Sequence, residues 1–148
     1  MSQPGLEVFD STLQKTHLWL HELQELAHLP DRHTAFQVLR AVLHALRDRL
    51  PVDEAAHFGA QLPVLIRGFY YEGWRPAGKP ERTRSRQEFL DRITMEIVSP
   101  ENLDPIRLTR AVFELFNHHL SQGEPEKIRG ILPHEIQVLW PEPSPVYR

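Results

Sequence analysis

Nine histidines are the side chains of this 148-residue chain best suited to chemistry. A neutral imidazole can ligate a divalent ion or carry a proton near neutral pH. His17, His21 and His28 fall at i, i+4 and i+11 of one helical stretch. An i, i+4 pair can chelate, but this face lacks a carboxylate at the matching place and a second ligand pair from a neighbouring helix. A solvated polar face explains it more simply. His118 and His119 are adjacent, so on a helix they point about 100° apart and do not easily face one ion. Glu114 and His118 share a face, and His44 and Asp48 repeat that pairing with the roles exchanged. This reads as a surface ion pair placed twice, worth roughly 0.2–0.5 kcal/mol each time. A di-iron carboxylate bundle needs two Glu-x-x-His motifs, and the chain has none.

Arginine is the other reactive type. Arg40 and Arg110 sit beside apolar stripes at equivalent places, where an arginine can lay its stem over a core and send its guanidinium to helix-end carbonyls. The alternative is a pair of related anion sites. The sharpest surface feature runs from Arg67 to Arg86. Arg67, Tyr71, Trp74, Arg75, Lys79, Arg82, Arg84 and Arg86 gather there against Glu81 as the acid of the linker. Arginines beside aromatics can stack bases and hold phosphates, or form a protein hot spot. The plainer reading is that Phe69, Tyr70 and Trp74 pack the linker onto the fold and leave a solvated basic loop. Leu139-Trp140 occurs at the position equivalent to Phe69-Tyr70 without a basic cluster, which favours packing for the aromatics. There is no Gly-rich phosphate loop, no Gly-x-Ser-x-Gly and no His-Glu-x-x-His. No catalytic residue, cofactor ligand or metal ligand is assigned, and the balance points away from an enzyme.

The elements that position these residues are repeated. Residues 17–70 lie over 87–140 at a constant offset of 70 without a gap. Arg40-Ala41-Val42 matches Arg110-Ala111-Val112, Leu50 matches Leu120, Glu54 matches Glu124, and Leu62-Pro63 matches Leu132-Pro133. Trp19 falls on Phe89, Leu23 on Ile93, Pro30 on Pro100 and Ile66 on Ile136. Each copy reads as two long helices and two short ones.

In the first copy, Leu13, Thr16, Leu20, Leu23 and Ala27 give the stripe of a helix over about 9–28, ended by Pro30. Phe36, Leu39, Val42, Leu43, Leu46 and Leu50 give a second over about 32–49. Pro51 opens a third to Ala60, and Pro63 a fourth to about Glu72, stopped by Gly73. In the second copy, Ser85 and Glu88 form a capping box before a helix to about Val98. Asp104-Pro105 starts the next, Gly123 breaks it, Pro125 starts a short helix to about Ile131, and Pro133 a last one to about Trp140. No stretch alternates with period two over five or more residues, so no sheet is expected. Trp19, Phe36, Phe89, Phe113 and Phe116 are the expected centre of the core.

The predicted fold is therefore all-α: two tandem four-helix repeats, 9–72 and 85–140, packed with pseudo-two-fold symmetry into one helical bundle domain over 1–148. The linker is 73–84 and the loose tail 141–148. A chain of this length can bury roughly 70% of its unfolded surface and needs no cross-links. It has no cysteine, which fits a reducing compartment. Residues 1–10 show no basic region followed by an apolar run, and apolar runs elsewhere are broken by charge. The expected location is the cytoplasm, with no membrane association. A net charge of −3 gives no general attraction to nucleic acid.

Several runs resemble the bacterial domain-of-unknown-function family 2267. They are Arg40 through Pro51, Ala60 through Trp74, Glu88-Phe89-Leu90, Arg110-Ala111-Val112-Phe113, and Leu132-Pro133 through Leu139-Trp140-Pro141. The resemblance implies an all-helical bacterial cytoplasmic protein and carries no activity, ligand or catalytic residue. The expected function is a non-enzymatic interaction or regulatory module whose partner is another protein. The alternative is a small-molecule or metal-binding protein with its site at the seam between the repeats.

Overall fold

The structure is a computed structural model that describes residues 6–98 and 102–142. Its described residues form an all-helical bundle without strands: α1 (Glu7–Leu26), α2 (Arg32–Arg49), α3 (Val52–Ala60), α4 (Val64–Tyr71), α5 (Arg86–Met95), α6 (Pro105–His119), α7 (Glu124–Ile131) and α8 (His134–Gln137). Pro100, the match to Pro30, lies outside the described residues, as does most of the tail expected over 141–148. No helix among the described residues is long and apolar enough to cross a membrane.

Local chemistry sets the boundaries. Asp31 caps α2 through Thr34 N–H at 2.7 Å, Ser85 caps α5 through Glu88 N–H at 3.1 Å, and Asp104 caps α6 through Ile106 N–H at 3.0 Å. In the capping box, the Ser85 hydroxyl also donates to the Glu88 carboxylate at 2.9 Å. Gly123 precedes α7 at φ +91°, a left-handed conformation that suits glycine.

Several ends fall short of the sequence expectation, α8 among them: it stops at Gln137 rather than near Trp140, as Leu139 and Trp140 N–H close tight turns onto Ile136 and Gln137. α1 stops at Leu26 because Leu29 N–H bonds Gln24 C=O at 2.9 Å and His28 N–H bonds Glu25 C=O at 3.3 Å. These are the two bonds of a Schellman turn, with His28 at φ +54° in the left-handed place. The turn, rather than Pro30 alone, ends the helix. α5 stops at Met95, where Glu96 and Ile97 close tight turns onto Ile93 and Thr94.

α2 is central and touches α1, α4, α5 and α6, while α6 packs on α1 and α5. Leu23, Leu39, Leu43, Leu46, Leu50, Phe58, Phe113, Phe116 and Ile128 are fully buried at their meeting. Trp19 and Phe89 are buried as expected. Two expectations are corrected. Phe36 is only partly buried, because it sits near the start of α2 and closes the edge of the core against Phe69 at 4.7 Å between ring centroids. Leu13, placed in the inward stripe, is 47% exposed, because α1 here turns Thr12 rather than Leu13 towards α4, its Oγ1 accepting Leu65 N–H at 3.1 Å. α3 and α4 approach so closely that a Cβ on Gly59 would lie 2.8 Å from the Tyr71 ring.

Trp19 packs on Phe116 at 6.3 Å and stacks on His119 at 4.8 Å. Trp19→Ala should lower the unfolding free energy by about 3–5 kcal/mol, read as a shifted urea midpoint with an unchanged slope.

Candidate functional site

The residues proposed from sequence as a docking surface divide into two groups. Arg67 is turned inward: its guanidinium donates to the C=O groups of Gly59, Ala60 and Leu62 at 2.9–3.0 Å and closes the end of α3. Tyr71 packs against Tyr70 and Trp74, with centroids 4.9 and 5.4 Å away, and Trp74 lies against the core. Lys79 is largely covered, with its ammonium 3.2 Å from Glu81 and 4.0 Å from Asp48. Arg75, Arg82, Arg84 and Arg86 are exposed, and none has an ion-pair partner among the described residues.

Beneath these four arginines lies a polar network. Asp48, buried near the end of α2, accepts from Arg47 Nε at 2.8 Å and Nη2 at 3.0 Å. Arg92 of α5 reaches the same carboxylate and also bonds Glu81 at 2.7 Å. Asp48 C=O accepts Glu81 N–H at 2.8 Å, and Arg49 Nε donates to Thr83 C=O at 2.5 Å. The strap of residues 79–83 is thereby tied along the end of α2. Arg47 also donates to Tyr70 C=O and Glu72 C=O, satisfying carbonyls left open at the end of α4.

Burial by itself would raise the Asp48 carboxyl, but the hydrogen bonds and charges of Arg47 and Arg92 outweigh it and hold it below the ordinary carboxylate value. Burial, and then the nearby Arg84 charge, pull the Arg49 guanidinium below its usual value. Positive charge is therefore crowded where Arg49 meets the exposed strap. Burial also pushes the Tyr70 hydroxyl up, so it stays a neutral donor to Ala55 C=O at 2.6 Å.

The histidines fall otherwise than their spacing suggested. His28 lies beyond α1 and does not share a face with His17 and His21. His21 pairs with Glu25 at 2.8 Å, and His17 Nδ1 lies 3.5 Å from Arg32. The surface pair expected twice is corrected in its first copy. His44 and Asp48 are buried and make no pair with each other, because each faces a different neighbour. His44 Nδ1 meets the Glu96 carboxylate at 2.9–3.0 Å, and its Nε2 lies 2.7 Å from Phe69 C=O. The second copy forms, with His118 Nε2 at 3.1 Å from Glu114, but it is not a surface pair. His118 Nδ1 contacts Glu22 of α1, and His119 Nε2 lies 2.8 Å from the other oxygen of the same carboxylate.

Glu22, Glu25, Leu26, His118 and His119 border a cavity of about 580 Å³ at this seam. Among the described residues no three His, Cys, Asp or Glu side chains are arranged to hold a metal ion. Arg110 donates to Val138 C=O at 2.9 Å, the role expected for both members of its pair. Arg40 instead meets the Glu72 carboxylate at 3.0 Å, which corrects the expectation of a carbonyl partner.

Sequence reasoning missed Arg47, Arg92, Glu22 and Glu96. A usable signal was present for Arg47-Asp48: both lie between Leu43, Leu46 and Leu50, where a charge must be buried with a partner.

Asp48→Asn should cost about 3–5 kcal/mol at neutral pH, because Arg47 then stays buried without its counter-charge. The folded Asp48 carboxyl is the more acidic, so its contribution is complete above about pH 4 and is lost as the pH falls through and below that value. Urea melts at descending pH should show the difference between wild type and Asp48→Asn shrinking on the acid side.

A family model described as "Uncharacterized conserved protein (DUF2267)" matches residues 16–139. No curated protein matches the chain.

Proposed function

The chain belongs to that uncharacterised family, and from this premise we propose that it is a non-enzymatic interaction or regulatory module of the bacterial cytoplasm that docks another protein through its basic strap. The observation that carries the reading is the exposure of Arg75, Arg82, Arg84 and Arg86, none with an ion-pair partner among the described residues, in and around a strap tied down by Glu81 and Thr83. A loop that only needed to connect two helices would gain nothing from concentrating like charges there.

Electrostatics supports a protein partner. Residues 75–86 hold five cations against one acid, a local charge of about +4, so the rest of a chain of net charge −3 carries about −7. A long polyanion would be repelled by that remainder, whereas an acidic patch on a protein meets the strap alone. Tyr71 and Trp74 are engaged in packing and offer no open stacking platform for bases.

The same reading takes the chain as one domain made of repeats 9–72 and 85–140 joined by linker 73–84, related by a pseudo-two-fold axis. Its support is reciprocal contact, the mark of an isologous interface. His57 lies 3.4 Å from Glu124, and Lys127, which aligns with His57, lies 3.6 Å from Glu54, which aligns with Glu124. Asp48 pairs with Arg92, and the aligned residues His118 and Glu22 pair with the signs reversed. Asn117 aligns with Arg47, and its Nδ2 donates to Pro141 C=O at 3.0 Å, as Arg47 donates to Glu72 C=O just after α4 at 2.7 Å.

The second reading, a small-molecule site at the seam, is favoured by the Glu22, His118 and His119 side chains bordering the cavity there. Those side chains are already hydrogen-bonded to one another, so a ligand would have to displace these contacts.

In affinity capture from native cell extract, a chain carrying R82E, R84E and R86E should lose a partner that the wild type retains. All three positions are exposed, so the variant should keep its helicity and urea midpoint. Identical captured proteins would remove the strap from the function.

A further inference from the structure

The start of α1 carries an apolar surface that no described part of the chain covers. α1 begins at Glu7, whereas α5 begins at Arg86, which aligns with Thr16 at the 70-residue offset. Residues 7–15 therefore extend α1 by about two and a half turns relative to its counterpart. Along this extension Leu6, Phe9 and Leu13 recur at i, i+3 and i+7, in line with buried Thr16 and Leu20. Leu6 is 48% exposed and Phe9 60%. So concentrated an apolar surface is characteristic of a contact between proteins.

The charges beside it run in a self-complementary order. Glu7 and Asp10 lie at the N-terminal end of the stripe, and neither has an ion-pair partner among the described residues. At the other end the Arg32 guanidinium reaches back to within 3.5 Å of His17, and it too meets no carboxylate there. Along α1 the sequence is thus acid, apolar stripe, base. A two-fold axis perpendicular to the helix maps that order onto itself with opposite signs meeting. An antiparallel second α1 lays Phe9 against Leu13 of the other copy and turns Glu7 and Asp10 towards its His17 and Arg32, each contact being made twice.

We propose that this face docks a second copy of the chain, giving an antiparallel two-fold dimer through α1. The face lies apart from the strap, and the dimer does not depend on the strap's role.

Sedimentation equilibrium of the full chain over rising concentration tests it. Wild type should move from monomer to dimer mass in low salt, with the transition displaced to higher concentration as salt screens the flanking pairs. Combined Phe9→Glu and Leu13→Glu should remain monomeric throughout. Both positions are exposed, so the urea midpoint should stay close to that of wild type, which separates lost docking from lost folding. Arg32→Glu should weaken dimerisation by about tenfold or more, since the lost contact occurs twice. Adding Glu7→Arg and Asp10→Arg to Arg32→Glu should restore most of that loss, because the order of signs is then inverted but still self-complementary. A wild type that stays monomeric up to the order of 1 mM, or a dimer indifferent to these substitutions, would overturn the proposal.

Discussion

The Asp48 carboxylate ties the end of the central helix to α5 and to the segment that leads into it. It lies at the end of the central helix, takes two bonds from Arg47, and draws in Arg92 from α5. Its own carbonyl anchors the strap through Glu81 N–H. A carboxylate removed from water is costly unless neighbours replace the lost hydration. Here two guanidiniums do so, and each needs further acceptors of its own. Arg47 finds them at the end of α4, and Arg92 finds one in Glu81. The demand for satisfied hydrogen bonds thus spreads from one buried charge to α2, α4, α5 and the strap. Apolar packing decides that a bundle forms, and this network decides where the connecting segment between α4 and α5 must run.

That placement gives the strap its character. Lys79 and Glu81 are drawn down into the network, and Arg67, Tyr71 and Trp74 are absorbed by packing. Arg75, Arg82, Arg84 and Arg86 remain outward. A feature that reads in one dimension as eight equivalent residues is therefore two things: a set of internal props, and four charges displayed on a fixed support. Docking through a segment already held in place avoids part of the ordering entropy that a free loop would lose.

The bundle was legible because periodic apolar residues and proline or capping signals are local. Ser85 and Asp104 mark helix starts that the backbone obeys. The end of α1 was less legible, since a Schellman turn with histidine rather than glycine at its left-handed position gives little compositional warning. The charged network was the least legible. His44 and Asp48 are four residues apart on one helix, and local reasoning pairs them, but their partners Glu96 and Arg92 come from the other half of the chain. Contacts of that kind depend on how helices cross, which spacing along one helix does not encode. Comparing positions 70 apart would have narrowed the search, because acid and base are exchanged between 48 and 118 and again between 22 and 92.

That exchange of signs bears on how such a molecule could arise and what it can no longer do. If the chain descends from a unit that once paired with itself, the ancestral contact had to tolerate identical partners. The present residues do not. On the two-fold relation proposed above, two copies of the first half would set Asp48 against Glu22, acid on acid, and two copies of the second would set His118 against Arg92. On that proposed relation each half complements the other in charge and neither complements itself.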